Sequence, residues 1–386
     1  MKEFTQQSKI GVIGAGTMGG GIAQLAAMSG HEVVLFDTSS TAMKKADERL
    51  HKAMDIMIEK GKISDMGAKD ILSHIRKASL FDDFKDCDLV IEAIIEELPI
   101  KQEIFRTIES KVSAGCILAT NTSSLSVTSI ASVCSDASRV IGIHFFNPAP
   151  IMPLVEIVPG IATDSQVVKN CKALIDGWKK TTVVAKDTPG FIVNRVARPF
   201  YGEAIRIYEE GIADFATIDW AMKEIGGFKM GPFELMDFIG NDVNFKVTET
   251  VWTQLFYDPR YKPSLTQKRL YEAGYWGKKK GRGYYNYAEN APVSEPKKDK
   301  KLGEEIFIRI LAMLINEAFD AWYYRIASKE DIELAVTKGV NYPKGLIQWG
   351  SEIGLEKIVS KLQDLHELHA EDRYRPSVLL KKMCKV

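Results

Sequence analysis

From Lys9 to Ala185 short apolar runs alternate with longer segments of helical periodicity. The runs at 10–13, 32–36, 87–93, 117–119, 139–144 and 181–185 read as strands, rich in Val and Ile. The third, CDLVIEA, is continuously apolar until Glu92, as expected of a parallel strand buried on both faces. Between the strands, 41–61, 68–74, 99–112 and 165–177 read as helices, and Pro99 suits a first turn. Strand and helix in alternation predict an α/β domain over residues 1–187. Asp187-Thr188-Pro189-Gly190 then breaks the pattern. The segment FIVNRVARPFYGEAIRIYEEG reads as a long amphipathic helix kinked at Pro199, and helical periodicity continues to about residue 251. Residues 288–301, AENAPVSEPKKDKK, have no periodicity and read as an exposed linker.

Beyond the linker the helical pattern repeats. Gly202-Glu203-Ala204 matches Asn316-Glu317-Ala318, Ile218-Asp219 matches Ile332-Glu333, and Phe228, Gly231 and Gly240 match Tyr342, Gly345 and Gly354, all at the offset of 114 that separates 202 from 316. Arg260-Tyr261-Lys262-Pro263 and Arg373-Tyr374-Arg375-Pro376 follow at 113, the distance from 260 to 373, which one deletion explains. A register held over this length predicts a duplicated helical unit. The expected organisation is a nucleotide-binding domain at 1–187, a helical domain at 188–287, a linker at 288–302 and a degenerate second helical copy at 303–386. That copy lacks the DTPGFIVNR entrance and the Gly-rich basic tail, which points to a structural role.

Composition narrows the function classes. A chain of 386 residues is too long for one core. Its 51 basic and 51 acidic residues cancel, so no global field favours nucleic acid or an anionic membrane. No apolar run has the length of a membrane span, and MKEFTQQSK lacks the hydrophobic stretch of a secretion signal. Cys87, Cys116, Cys134, Cys171 and Cys384 are odd in number and form no CxxC, as expected of free thiols in a reducing cytoplasm.

The first chemical signal is KIGVIGAGTMGGGIAQLAAMSGHEVVLFD, residues 9–37. Gly14, Gly16 and Gly19 have the GxGxxG spacing between a strand and a helix, and the next strand ends in Asp37. Gly14 permits the tight turn, Gly16 the approach of a pyrophosphate and Gly19 close helix packing. Asp37 suits the adenosine ribose hydroxyls and repels a 2′-phosphate, favouring NAD over NADP. Asn121 and Ser123 follow the strand at 117–119, where an open α/β sheet places its ligand, with helix capping by Ser123, Ser124 or Ser126 as the competing account.

A second signal is IHFFNPAPIMPLVEI, residues 143–157. It carries His144 and Glu156 on flanking strands joined through Pro148, Pro150 and Pro153. A chain that turns back this way sets an imidazole beside a carboxylate, an arrangement suited to proton transfer near neutrality. Structural hydrogen bonding is the competing reading. Lys52 and Lys60 read as a solvated helix face, and the basic run 278–282 faces either a phosphate or solvent. His366 and His369 share a helical face without convincing ligand spacing, so no metal is expected.

Taken together, GAGTMG at 14–19, EAIIE at 92–96, NTSSL at 121–125, HFFNP at 144–148, VEI at 155–157, KDTPGFIVNR at 186–195, GPFELMDFIG at 231–240 and GRGYYNY at 281–287 resemble the 3-hydroxyacyl-CoA dehydrogenase family, short-chain 3-hydroxybutyryl-CoA type. The resemblance covers residues 9–287 and extends more weakly to the C-terminus. It implies a Rossmann-type nucleotide-binding domain followed by an all-α dehydrogenase domain, here in two tandem copies. It further implies an L-3-hydroxyacyl-CoA substrate with NAD as oxidant. His144 is then the acid/base and Glu156 its orienting partner. Ser123 and Asn194 contact the reacting oxygen or thioester, and Glu96, Lys101 and Asn121 lie near the nicotinamide half. The second helical copy departs from the single-copy members, which dimerise through that domain, so either a homodimer or a monomer is open. Two other functions stay open: an NAD(P) dehydrogenase of a free small hydroxy acid, a group that generally uses a lysine base, and an NAD-binding protein without turnover. The repeat also leaves room for a protein-binding role.

Overall fold

The computed structural model describes residues 3–292 and 294–384; Met1 and Lys2 of the leading segment, Val293 of the expected linker, and Lys385 and Val386 lie outside it. The chain divides into two compact units, Met1–Thr188 and Pro189–Val386.

The first unit is a single eight-stranded sheet in the order β3-β2-β1-β4-β5-β6-β7-β8. Its strands are β1 (Ile10–Ile13), β2 (Val33–Phe36), β3 (Ile75–Lys77), β4 (Leu89–Glu92), β5 (Ile117–Thr120), β6 (Val140–Phe145), β7 (Leu154–Pro159) and β8 (Thr181–Val184). Six helices connect them: α1 (Thr17–Met28), α2 (Ser40–Glu59), α3 (Asp65–Ser73), α4 (Leu98–Glu109), α5 (Val127–Ala131) and α6 (Ser165–Gly177). β1 to β6 are parallel, β7 runs antiparallel to β6, and β8 is parallel to β7. Successive side chains point to opposite faces, so the sheet carries a core on each. Ile10 and Val12 pack with Ile22, Ala26 and Ile175 on one side, while Ile13 packs with Phe84, Phe105 and Ile108 on the other. The sequence pattern missed β3. Its three residues, Ile75, Arg76 and Lys77, form an edge strand, where charged side chains protect the open backbone and erase the apolar signal.

The second unit is largely helical. Its first part holds α7 (Val193–Val196), α8 (Arg198–Glu209), α9 (Phe215–Trp220), α10 (Pro232–Ile239), α11 (Asn241–Gln254) and α12 (Leu265–Glu272). Its second holds α13 (Lys300–Tyr323), α14 (Lys329–Leu334), α15 (Leu346–Ile353), α16 (Leu355–His369) and α17 (Val378–Met383). The expected kink at Pro199 is a full break: α7 stops at Val196 and α8 restarts with Pro199 in its first turn, because proline has no N–H to continue the ladder. α9 and α14 lie 114 residues apart at both ends, as do α10 and α15. Gly240 and Gly354, at the same spacing, hold nearly the same left-handed backbone, with φ of 101° and 99°. Among the described residues no helix is long and apolar enough to cross a membrane.

Candidate active site

The strand order reverses between β1 and β4, so the crevice beyond their carboxyl ends is where a doubly wound sheet takes its ligand. Gly14 sits there with φ of 103°, and a Cβ on Gly19 would fall 1.8 Å from its carbonyl oxygen. A Cβ on Gly16, in contrast, would meet no protein atom within 4 Å. Packing explains the first and third glycines, whereas the second keeps a path to the backbone open. α1 starts at Thr17 without a side-chain cap, and its first-turn amides point toward that path. At the end of β2, Asp37 accepts hydrogen bonds from Ala15 N at 2.7 Å and Ser39 N at 2.8 Å, which ties its carboxylate to the glycine turn. These residues fit a dinucleotide: a phosphate path at Gly16 and a carboxylate beside it for the ribose.

At the ends of β4 and β5 the chain builds a closed polar network. Glu92, 1% exposed, accepts from Lys101 Nζ at 2.7 Å, Ile94 N at 2.7 Å and the Thr120 hydroxyl at 2.8 Å. Lys101 is equally buried and also faces Glu96 Oε2 at 3.3 Å. Glu96 Oε1 collects the Thr122 hydroxyl at 2.6 Å, Ser123 N at 2.8 Å and the Ser124 hydroxyl at 3.0 Å. Burial pushes the Glu96 carboxyl upward, but the Lys101 charge and these donors outweigh it and hold it below the usual carboxylate range. Ser123 is therefore held by Glu96, and Lys101 is enclosed by Glu92 and Glu96. Glu92 and Thr120 escaped sequence reasoning. The available signal was an acidic residue closing an apolar buried strand, since such a charge demands a partner.

β6 and β7 pair so that His144 stands directly opposite Glu156. Nδ1 of His144 lies 2.7 Å from Glu156 Oε2, and both side chains are buried. In the tautomer with its proton on Nδ1, His144 donates this bond to the carboxylate. The Phe146 ring lies 4.5 Å from the imidazole centroid to centroid. Asn121 Oδ1 accepts from Phe145 N at 2.8 Å, which joins the β5 end to the residue after His144. Asp187 caps α5, accepting from Val127 N, Thr128 N and the Ser126 hydroxyl at 2.8 to 2.9 Å. Ser126 also accepts from Ser129 N, so it takes the capping role, and Ser123 is bound to Glu96 instead.

In the second unit, half-buried Asn194 lies on α7, and its carbonyl accepts from Arg198 Nε at 3.1 Å. The Gly-rich tail is clasped by two carboxylates. Asp237 accepts from Tyr284 N, Tyr285 N and the Tyr287 hydroxyl, and Asp219 from Phe233 N, Glu234 N and the Tyr285 hydroxyl. In the basic run Lys279 pairs with Asp242 at 2.6 Å. α13 exchanges buried charges with α7, α8 and the turn at Arg260. Glu317 receives Arg195 Nε at 2.9 Å, Arg260 at 3.3 Å and the Tyr261 hydroxyl, while Glu203 receives Arg309 Nε at 2.7 Å and the Tyr374 hydroxyl at 2.6 Å.

Comparison with known proteins matches both units. The family model described as "3-hydroxyacyl-CoA dehydrogenase, NAD binding domain" covers residues 9–188, and that of the C-terminal domain covers 190–287 and 306–386. The chain is 35% identical to the 3-hydroxyadipyl-CoA dehydrogenase of Escherichia coli K12, over 97% of this chain and 96% of that one. It is 39% identical to the 3-hydroxybutyryl-CoA dehydrogenase of Bradyrhizobium diazoefficiens, over 74% of this chain and 97% of that one. A crystal structure titled as 3-hydroxybutyryl-CoA dehydrogenase from Escherichia coli K12 superimposes with a TM-score of 0.92 at 34% identity, covering 99% of each chain.

Proposed function

The chain belongs to the 3-hydroxyacyl-CoA dehydrogenase family, and from that premise we propose that it interconverts short L-(S)-3-hydroxyacyl-CoA and 3-ketoacyl-CoA esters, 3-hydroxybutyryl-CoA foremost. The observation that carries this reading is the buried His144–Glu156 pair on a sheet whose first turn is built for a dinucleotide. NAD, when bound, supplies the hydride acceptor. Gly14, Gly16 and Gly19 hold its pyrophosphate and Asp37 its adenosine ribose. Asn121 and Glu96 border its nicotinamide half, and Lys101 acts there through Glu96. His144 Nε2 takes the proton of the 3-hydroxyl, and the Glu156 carboxylate stabilises the imidazolium that forms. In the reducing direction the same imidazolium returns the proton. Ser123 and Asn194 orient the reacting oxygen and the thioester.

The helical part is read as two tandem copies, 188–287 and 303–386, joined by a linker at 288–302 whose last residues, from Lys300, already belong to α13. The spacing of α9, α10, α14 and α15 supports this, as does the exchange of charges. Glu203 of one copy is held by Arg309 and Tyr374 of the other, and Glu317 by Arg195, Arg260 and Tyr261 of the first. Reciprocal contacts of this kind mark an interface with twofold symmetry, as between identical subunits. The second copy thus takes the place of a partner chain, which favours a monomer, and the unpaired cysteines suit a cytoplasmic setting.

A second substrate reading, 3-hydroxyadipyl-CoA, is favoured by the relative of that name, which spans both helical parts. Initial rates with acetoacetyl-CoA, 3-ketohexanoyl-CoA and 3-ketoadipyl-CoA, each with NADH and NADPH, test both readings. NADH-dependent reduction of acetoacetyl-CoA is expected. Preference for the dicarboxylic ester selects the second reading, and turnover of free acetoacetate alone defeats both.

A further inference from the structure

Lys180 stands immediately before β8, is 9% exposed, and takes no part in the proton transfer described above. Its ammonium donates to three backbone carbonyls, Ala149 O at 2.7 Å, Pro150 O at 3.1 Å and Met152 O at 2.8 Å. Three donors meet three acceptors, so the group is fully used by one short stretch of chain. That stretch, residues 146–153, is the connection between β6 and β7, the two strands that carry His144 and Glu156. The next residue pins the end of the same connection, Thr181 N donating to Pro153 O at 2.8 Å.

On its other side the loop rests on the nucleotide-binding helix. A Cβ added to Gly21 of α1 would lie 3.1 Å from Pro150 Cδ and 3.4 Å from Ala149 Cβ. Pro148, Pro150 and Ile151 also wall a cavity of about 410 Å³ together with Gly20, Gly21 and Arg49. Without a cation, three convergent carbonyls of this loop would face one another in a nearly dry site, a costly arrangement. Burial pulls the Lys180 ammonium down to about 8, the mark of a charge kept inside at a cost.

We propose that Lys180 is a positioning residue for the dehydrogenase reaction, its ammonium holding the 146–153 loop so that the His144–Glu156 strands and helix α1 keep a fixed relation. The inference rests on the reading of His144 and Glu156 as the proton-transfer pair. Loss of Lys180 shifts the base relative to the cofactor site without removing either, so turnover falls more than cofactor affinity does.

Lys180→Met, Lys180→Ala and His144→Ala in the full chain form the test, with kcat and KM for acetoacetyl-CoA, NADH affinity by fluorescence titration, and melting temperature. Lys180→Met is expected to lose about tenfold or more in kcat while NADH affinity changes by less than about threefold. Propylammonium should restore part of the kcat of Lys180→Ala and nothing to Lys180→Met, whose side chain occupies the space the amine would need. Wild-type kcat in Lys180→Met overturns the proposal. So does a parallel loss of kcat, NADH affinity and folding in both variants with no amine rescue, which makes Lys180 a requirement of the fold alone. Persistent turnover in His144→Ala defeats the dyad reading and this inference with it, whereas an inactive His144→Ala beside a normal Lys180→Met defeats only the inference.

Discussion

Glu156 in the first unit and Glu317 in the second are both buried, and each is bonded to a nitrogen base. They differ in what that base can do. Glu156 faces an imidazole, a ring with two nitrogens able to pass a proton on. Glu317 faces two guanidiniums, which never release theirs in a protein. Position differs as well: the imidazole pair lies among strand ends that also present Asn121, Ser123 and Glu96, whereas the guanidinium clusters close on themselves among the helices of the second unit. Burial of a charge therefore identifies a place where the structure depends on a pairing. Chemistry additionally requires a partner that titrates.

The largest expected effect breaks the pairing in the helical unit. Glu317→Ala takes from Arg195 its buried carboxylate, while Arg260 keeps Asp320, and should cost about 3–5 kcal/mol in urea unfolding. Glu203→Ala should cost a similar amount through Arg309, and a large inequality between the two would speak against equivalent roles. In the nucleotide unit the balance reverses. Glu156→Gln keeps the shape and should lower kcat by about a hundredfold, because the imidazolium loses its counter-charge. A melting temperature that falls while kcat stays constant would move Glu156 into the same class as Glu317.

Asp219 gives the smallest and subtlest contrast, a buried carboxyl in the helical unit that does titrate. Burial pushes it up to about 7, against the three donors that favour its ionised form. Its ordinary value lies near 4, so between about 4 and 7 the folded state binds the proton that the unfolded chain has released. This contribution is therefore most favourable at low pH and is lost as pH rises through 7, with a slope of at most about 1.4 kcal/mol per pH unit. Melting curves from pH 5 to 8 should flatten in Asp219→Asn relative to wild type, and an unchanged slope would assign the pH dependence elsewhere.

Local backbone demands made much of the site readable in advance. The glycine turn with Asp37 depends on residues within one strand–helix–strand unit, and the His144–Glu156 pairing on a connection short enough for the pattern to reveal. Lys101 was harder, because a lysine on a helix normally reads as solvated, and only the chain's return through Glu92 and Glu96 shows it enclosed. The basic run at 278–282 read as either a phosphate site or solvent, while the tail's tyrosines and glycines in fact close onto Asp237 and Asp219. The repeat flagged Glu203 and Glu317 as equivalent positions, but their partners lie 106 and 122 residues away, a separation no local pattern carries. Lys180 gave no signal, since its acceptors are carbonyls and any sequence provides those.

The most direct test of the account is single-turnover reduction of acetoacetyl-CoA by NADH in His144→Ala, with NADH binding measured on the same preparation. NADH should bind as in wild type while the hydride-transfer rate falls by about 10²- to 10⁴-fold. A wild-type rate in a variant that binds NADH normally would contradict the assignment of His144 as the proton-transfer residue.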